Sequence, residues 1–259
     1  MLARVLEEQQ PGGEFCYWGD TACGGWGSRS PEFVWGRAEM GMKFLQEKGA
    51  TTIVMASGDG SAASRAEPPL ITPLPESIID YWDAQVKAME GISKTKRIGV
   101  IGSRLAIGNF GLLNLEQQGY TVYKKTIPAL APLIIEGEER RGEMRRMVRA
   151  HLQWFKIKGI DVLLLGSISY ARMIDDIQAK VGKRVKVIDP VGALSELFNE
   201  RRMGLAQGEQ KFYLTDMSAY DQELARKWLG RAVEFERGYK DALGVIPVTR
   251  FACKARRET

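Results

Sequence analysis

Two serines close matched segments of the chain. Lys48-Gly49 lead into the apolar run 53–56 and then Ser57. Lys158-Gly159 lead into 162–165, then Gly166 and Ser167, and the spacing from Lys-Gly to serine is the same in both. Short apolar runs of this kind are the pattern of buried parallel strands. Open α/β sheets bind ligands just past the carboxyl ends of such strands. The repeat therefore implies two related halves, each bringing a hydroxyl to the rim of one cleft. A serine is a nucleophile only beside a base. Without one its hydroxyl serves a ligand as a hydrogen-bonding group, or simply caps the strand end, and the sequence leaves both uses open for Ser57 and Ser167.

Other reactive side chains gather near these ends. Ser57-Gly58-Asp59-Gly60-Ser61 reads as a loop. Asp59 is either a general base, if burial raises its pKa, or an exposed turn acid between two glycines. A third strand, over 98–101, ends on Gly102-Ser103. Cys23 opens the glycine-rich loop Cys23-Gly-Gly-Trp-Gly27, which follows Asp20; Asp20 is expected to orient that loop. His151 is the only histidine, so histidine triads and zinc sites with several histidines are excluded. Its place on the apolar face of a long helix is structural.

These residues need strands and helices in alternation to hold them. The sequence predicts helices over 1–10, 31–47, 76–89, 110–118, 137–158, 170–181, 190–205 and 218–243. It predicts strands over 15–18, 52–56, 98–101, 120–124, 162–165, 185–188, 212–215 and 245–251. Ser30-Pro31-Glu32 is a strong helix start, with a cap, a first-position proline and an early acid. Residues 68–75 and 128–132 read as proline-bearing connectors. The run Glu138-Glu-Arg-Arg-Gly-Glu-Met-Arg-Arg146 reads as a solvated helix face with i,i+4 ion pairs. The alternation implies an α/β fold: two similar α/β/α halves with mainly parallel sheets facing a central cleft.

Composition narrows the function. With 259 residues and 27% charged side chains the chain is long enough for a substantial core and too apolar for disorder. Net charge of +5 argues against nucleic acid unless it clusters on one face. No apolar run reaches membrane-span length. Cys16, Cys23 and Cys253 lack metal-ligand spacing, and a reduced, cytoplasmic setting is expected. A homodimer is left open.

The order of motifs resembles glutamate racemase, in the aspartate/glutamate racemase superfamily. Tyr17-Trp-Gly-Asp-Thr-Ala22, Trp26-Gly27 with Ser30-Pro31-Glu32, and Val54-Met-Ala56 match its first part. Ile98-Gly-Val-Ile101, Pro128 to Pro132 with Glu136-Gly137, and Leu163-Leu-Leu-Gly166 match its middle. Val187-Ile-Asp189, Phe212-Tyr-Leu-Thr215 and Ala225 to Gly230 match its tail. The resemblance implies cofactor-free racemisation in which two cysteines face the substrate α-carbon from opposite sides, one thiolate taking the α-proton and the other thiol returning one. It also implies that residues 1–95 with 192–259 form one half and 96–191 the other. It places Cys23 next to the cleft.

The chain departs from that pattern at its centre. The two cysteine positions map to Ser57 and Ser167, and a following histidine maps to Ser169. The family's Asn and Thr map to Gly58 and Asp59, which sets a negative charge where a substrate carboxylate would bind. The family's opening strand, ending Asp-Ser-Gly-x-Gly-Gly, precedes the point where this chain starts; the strand expected over 245–251 would cover part of that gap. The expected site is Ser57, Ser167, Asp59 and Cys23, with Asp20, Trp26, Gly27, Gly58, Gly60, Ser61, Ser103, Ile168 and Ser169 around the ligand. The expectation is a divergent relative that binds a small carboxylate or other polar metabolite, uses no cofactor or metal, and lacks two-thiol racemase activity. One alternative is an active isomerase, racemase or lyase with a non-thiol base. A second is a non-catalytic partner or scaffold protein.

Overall fold

The computed structural model describes residues 1–65, 77–108, 113–201 and 204–239. Helix α1 (Leu2–Gln9) precedes β1 (Phe15–Gly19), α2 (Pro31–Glu47), β2 (Ile53–Val54) and α3 (Gly58–Ala63). Then come β3 (Ile78–Ile79), α4 (Tyr81–Met89), β4 (Arg97–Gly102), α5 (Leu113–Gln117), β5 (Thr121–Thr126) and α6 (Leu130–Ile135). The rest is α7 (Gly142–Lys158), β6 (Val162–Leu165), α8 (Ile174–Val181), β7 (Lys186–Val187), α9 (Pro190–Glu200), β8 (Gln210–Leu214), α10 (Ala219–Leu229) and β9 (Glu236–Arg237).

The strands form three sheets, ordered β5-β4-β6-β7, β1-β8-β9 and β2-β3. Every pairing between these strands is parallel, so the α/β class with mainly parallel sheets holds. The central strands β4 and β6 are buried on both faces. Val162 and Leu164 join Ile98 and Val100 in a core shared with Tyr81, Trp82 and the apolar side of α9. Leu163 and Leu165 join Ile101 in a second core against Leu152 and Phe155 of α7 and Ile177 of α8. Each of these buried aliphatic side chains contributes about 1.5–3 kcal/mol. A third cluster seats Val34, Trp35 and Ala38 of α2 on Ile53 and Ile78.

Several local expectations change, each for a physical reason. Residues 57–61 form no loop: Ser57 accepts from Gly60 N and caps α3, whose Ala62 and Ala63 are buried. The segment expected as a helix from 76 begins with strand β3, because Asp80 accepts from Trp82 N and Asp83 N and starts α4 only at Tyr81. Residues 130–135 are helical. Pro132 is tolerated in their first turn, where N–H groups have no intrahelical partner. The helix expected over 137–158 splits: a 3-10 turn, Glu138–Arg140, precedes α7. The charged run there pairs at i,i+3, as Arg141–Glu138 and Arg146–Glu143. The 170–181 segment opens as a 3-10 helix, Ile168–Met173, before α8. Helix α9 stops at Glu200. Helix α10 stops at Leu229 on a left-handed Gly230, and a strand follows. The connector expected over 68–75, the strand expected over 245–251 and Cys253 lie outside the described residues. Among the described residues no helix is long and apolar enough to cross a membrane.

Candidate functional site

The carboxyl ends of β2, β4 and β6 converge. A Cβ placed on Gly58 would collide with Gly166 O and lie 3.0 Å from Gly166 C. One placed on Gly166 would lie 2.9 Å from Gly102 Cα. The absence of side chains at these points lets three backbone turns meet. The turn after β2 carries Ser57, the turn after β6 carries Ser167, and Ser103 follows β4 at once. The loop after β1 closes over them. A Cβ on Gly27 would fall 2.7 Å from Ser103 Oγ and 3.3 Å from Asp59 Oδ2, and one on Gly60 would fall 3.3 Å from Trp26 Cζ3. The structure thus brings together Trp26, Gly27, Ser57, Gly58, Asp59, Gly60, Ser103 and Ser167, with Ile168 and Ser169 following in the 3-10 helix.

The two matched serines act alike. Ser57 Oγ accepts from Gly60 N at 3.1 Å. Ser167 Oγ accepts from Ser169 N at 3.4 Å and shares a hydrogen bond with Ser169 Oγ at 2.9 Å. Both are half-buried helix caps. Among the described residues neither hydroxyl contacts a carboxylate, an imidazole or an amine, so neither has the adjacent base that a serine nucleophile requires.

The charge of the site lies on Asp59. Its Oδ1 accepts from Ser103 Oγ, which in turn accepts from Ala106 N at 2.9 Å. Burial raises the Asp59 carboxyl above its ordinary range, partly offset by these donors. Two buried phenols lie within its field. Burial first, then the neighbouring Tyr170, Asp59 and Asp189, hold Tyr81 well above its usual value. Burial, then Asp59, does the same to Tyr170. Tyr81 OH donates to Leu165 O at 2.6 Å. Gln85 donates to the same carbonyl at 2.8 Å and accepts from Leu165 N at 3.0 Å, so α4 clamps the end of β6. Tyr170 OH is buried with no hydrogen-bond partner among the described residues.

Ser61, Asp20 and Cys23 are the remaining expected site residues. Ser61 is fully buried and turned from the strand ends: its hydroxyl donates to Asp80 Oδ1 at 2.7 Å and accepts from Arg65. Asp20 is saturated by Arg37, by Trp26 Nε1 at 3.0 Å and by Thr215 Oγ1 at 2.9 Å. It therefore holds the loop that carries Trp26 and Gly27. Cys23 is a half-buried free thiol on that loop, within the field of Arg37. Arg37, Tyr81, Gln85 and Tyr170 were not legible as site residues in the sequence. Gln85 left a signal, as a lone amide one turn after Tyr81 on an otherwise apolar helix face.

No protein-family model matches the chain. Glutamate racemase of Aquifex aeolicus (strain VF5) is 31% identical over 234 residues, which cover 90% of this chain and 91% of that protein. The crystal structure of glutamate racemase from Aquifex pyrophilus superposes with a TM-score of 0.72 at 27% identity, over 92% of this chain and 93% of the other. The glutamate racemase of Francisella tularensis subsp. tularensis SCHU S4, solved in complex with D-glutamate, shares the fold with a TM-score of 0.76. It is 23% identical over 91% of each chain.

Proposed function

The chain belongs to the glutamate racemase family, and from that membership we propose that it binds a small carboxylate or other polar metabolite where its strand ends meet, without two-thiol racemisation. In this reading Ser57 and Ser167 stand where the family's acid–base cysteines stand. The halves are 1–95 with 192–259, and 96–191. The observation that carries the reading is the pairing of those serines. They occupy equivalent caps, and each is engaged by a backbone N–H with no base bonded to it among the described residues. Ser103, Ser169 and the backbone N–H groups of the turns supply hydrogen bonds to the ligand. Asp59 favours a ligand that presents a donor, such as an ammonium or hydroxyl group, on its side. The D-glutamate held by the Francisella relative supports an amino acid as the class to test first.

The test is proton NMR of D- and L-glutamate and D- and L-aspartate in D₂O with the full chain. Retention of the α-proton signal, with a ligand-dependent rise in melting temperature for a member of a small-metabolite panel, is the expected result. Enzyme-dependent α-proton exchange with the unmodified protein would overturn the reading.

One observation favours a second reading, an isomerase or lyase with a carboxylate base. Burial raises the pKa of Asp59, which makes its carboxylate a stronger base than an exposed one. Under that reading Asp59→Asn abolishes turnover of whatever substrate is found while Cys23→Ala preserves it.

A further inference from the structure

The opposite end of the central sheet carries a concentration of positive charge. Parallel strands β4, β6 and β7 start side by side there, with Asp161 N bonded to Arg97 O and Lys186 N bonded to Asp161 O. An open cavity of about 820 Å³ lies at this end. Lys94 lines it from the turn before β4, and Lys183, Arg184 and Lys186 line it from the turn into β7. None of the four side chains is paired with a carboxylate among the described residues.

These cations sit on fixed backbone. Asp161 accepts from Lys94 N and Thr95 N, both at 2.7 Å, and from Ser93 Oγ at 2.8 Å. Its carboxylate is therefore turned into the turn it organises. Across the cavity Gln178 donates to Gly182 O at 3.0 Å and Val185 O at 2.8 Å and accepts from Val187 N at 3.2 Å, which holds the Lys183–Arg184 turn. Arg97 is anchored on Lys158 O at 2.6 Å and over the Tyr123 ring at 5.0 Å. Two acids, Asp161 and Asp175, share the lining with the four cations. Cations that outnumber the acids of a concave site, carried on turns of fixed backbone, attract anions to it.

We propose that this cavity is a second binding site, separate from the strand-end site, for a compact polyanion of the oligophosphate class. A nucleic-acid strand fits less well. Among the residues that line the cavity there is no aromatic ring on which its bases could stack.

Isothermal titration of the full chain with inorganic triphosphate, ATP and adenosine, at about 50 mM salt, tests this. Saturable binding of triphosphate and ATP, and none of adenosine, is the expected result. Equal affinities point to a free oligophosphate, and tighter binding of ATP points to a nucleotide. Lys183→Gln/Arg184→Gln, on an exposed turn, weakens triphosphate binding by about tenfold or more. Lys94→Gln/Lys186→Gln does the same from the other wall, and Arg146→Gln/Arg149→Gln on the exposed side of α7 leaves it within about twofold. Absence of saturable triphosphate binding, equal losses in all three double variants, or a clear preference for an oligonucleotide of matched charge would overturn the proposal.

Discussion

Gly58→Ala isolates the contact between the two strand-end turns. A Cβ at this position meets Gly166 O inside van der Waals distance, Gly166 C at 3.0 Å and Tyr81 Cε1 at 3.1 Å. Two of the three are backbone atoms, and the third belongs to a buried ring fixed by its bond to Leu165 O. None can swing aside, so the turns must separate by about 1 Å. Overpacking of this kind costs about 1–3 kcal/mol, and the rigid partners place it at the upper end. Against it stands the helix-propensity gain of Gly→Ala at the start of α3, about 0.5–1 kcal/mol. The net expectation is a loss of about 2 kcal/mol, which for a chain of this size lowers the melting temperature by about 4–8 °C. Gly36→Ala is the matched control. It lies within α2, a Cβ there meets nothing within 4 Å, and propensity alone raises the melting temperature by about 1–3 °C. Thermal unfolding followed by circular dichroism on both variants decides the matter. A Gly58→Ala protein as stable as the wild type would refute the close apposition of the two turns.

Three further outcomes follow from the same geometry. Asp59 has a folded-state pKa above its unfolded one, so the folded state holds the proton more tightly. Its ionisation therefore costs stability as pH rises from near 3.8 through the raised value, and below 3.8 the penalty is absent. Asp59→Asn is accordingly more stable than wild type at neutral pH, and melting curves of the two converge as pH falls towards 4; a gap that widens with acid would contradict the assignment. Tyr170→Phe removes a buried hydroxyl that has no partner among the described residues, so it leaves the urea midpoint unchanged or raises stability by up to about 1 kcal/mol. A clear loss would mean that the hydroxyl is bonded. Arg37→Met leaves the buried carboxylate of Asp20 without its cation and costs about 3 kcal/mol, with faster amide exchange over 20–29; a change below about 1 kcal/mol would show that Trp26 and Thr215 suffice.

What the sequence disclosed was what local rules decide. The apolar run before Ser167 is a strand because four consecutive buried aliphatic residues satisfy both faces of a central parallel strand. Ser30 and Pro31 start α2 where capping chemistry puts them. The converging strand ends were readable from the repeated Lys-Gly to serine spacing. Contacts made through space were not readable. Two glycines in five residues disguised α3, whose helix depends on the Ser57 cap and on burial of Ala62 and Ala63 by other elements. Ser61 looked like a ligand group until Asp80 and Arg65 claimed it. Asp20 takes its partners from α2 and from beyond β8, and no spacing rule connects those positions. The cationic cavity was invisible in a net charge of +5, because Lys94 and the Lys183–Lys186 turn are joined only by the side-by-side starts of β4, β6 and β7.

The pairing of β1 with β8 has a consequence for how the chain is made. The strands of the central sheet lie between residues 97 and 187 and close among themselves. Strand β1 pairs instead with residues 210–214, and the bond from Thr21 to Asp216 spans 195 residues. At roughly 5–20 residues per second of synthesis, β1 emerges about 10–40 s before its partner exists. During that interval its aromatic side chains and backbone edge are uncovered beside a nascent neighbour that is already assembling. Strand β1 thus waits for its partner until the whole central sheet has been made.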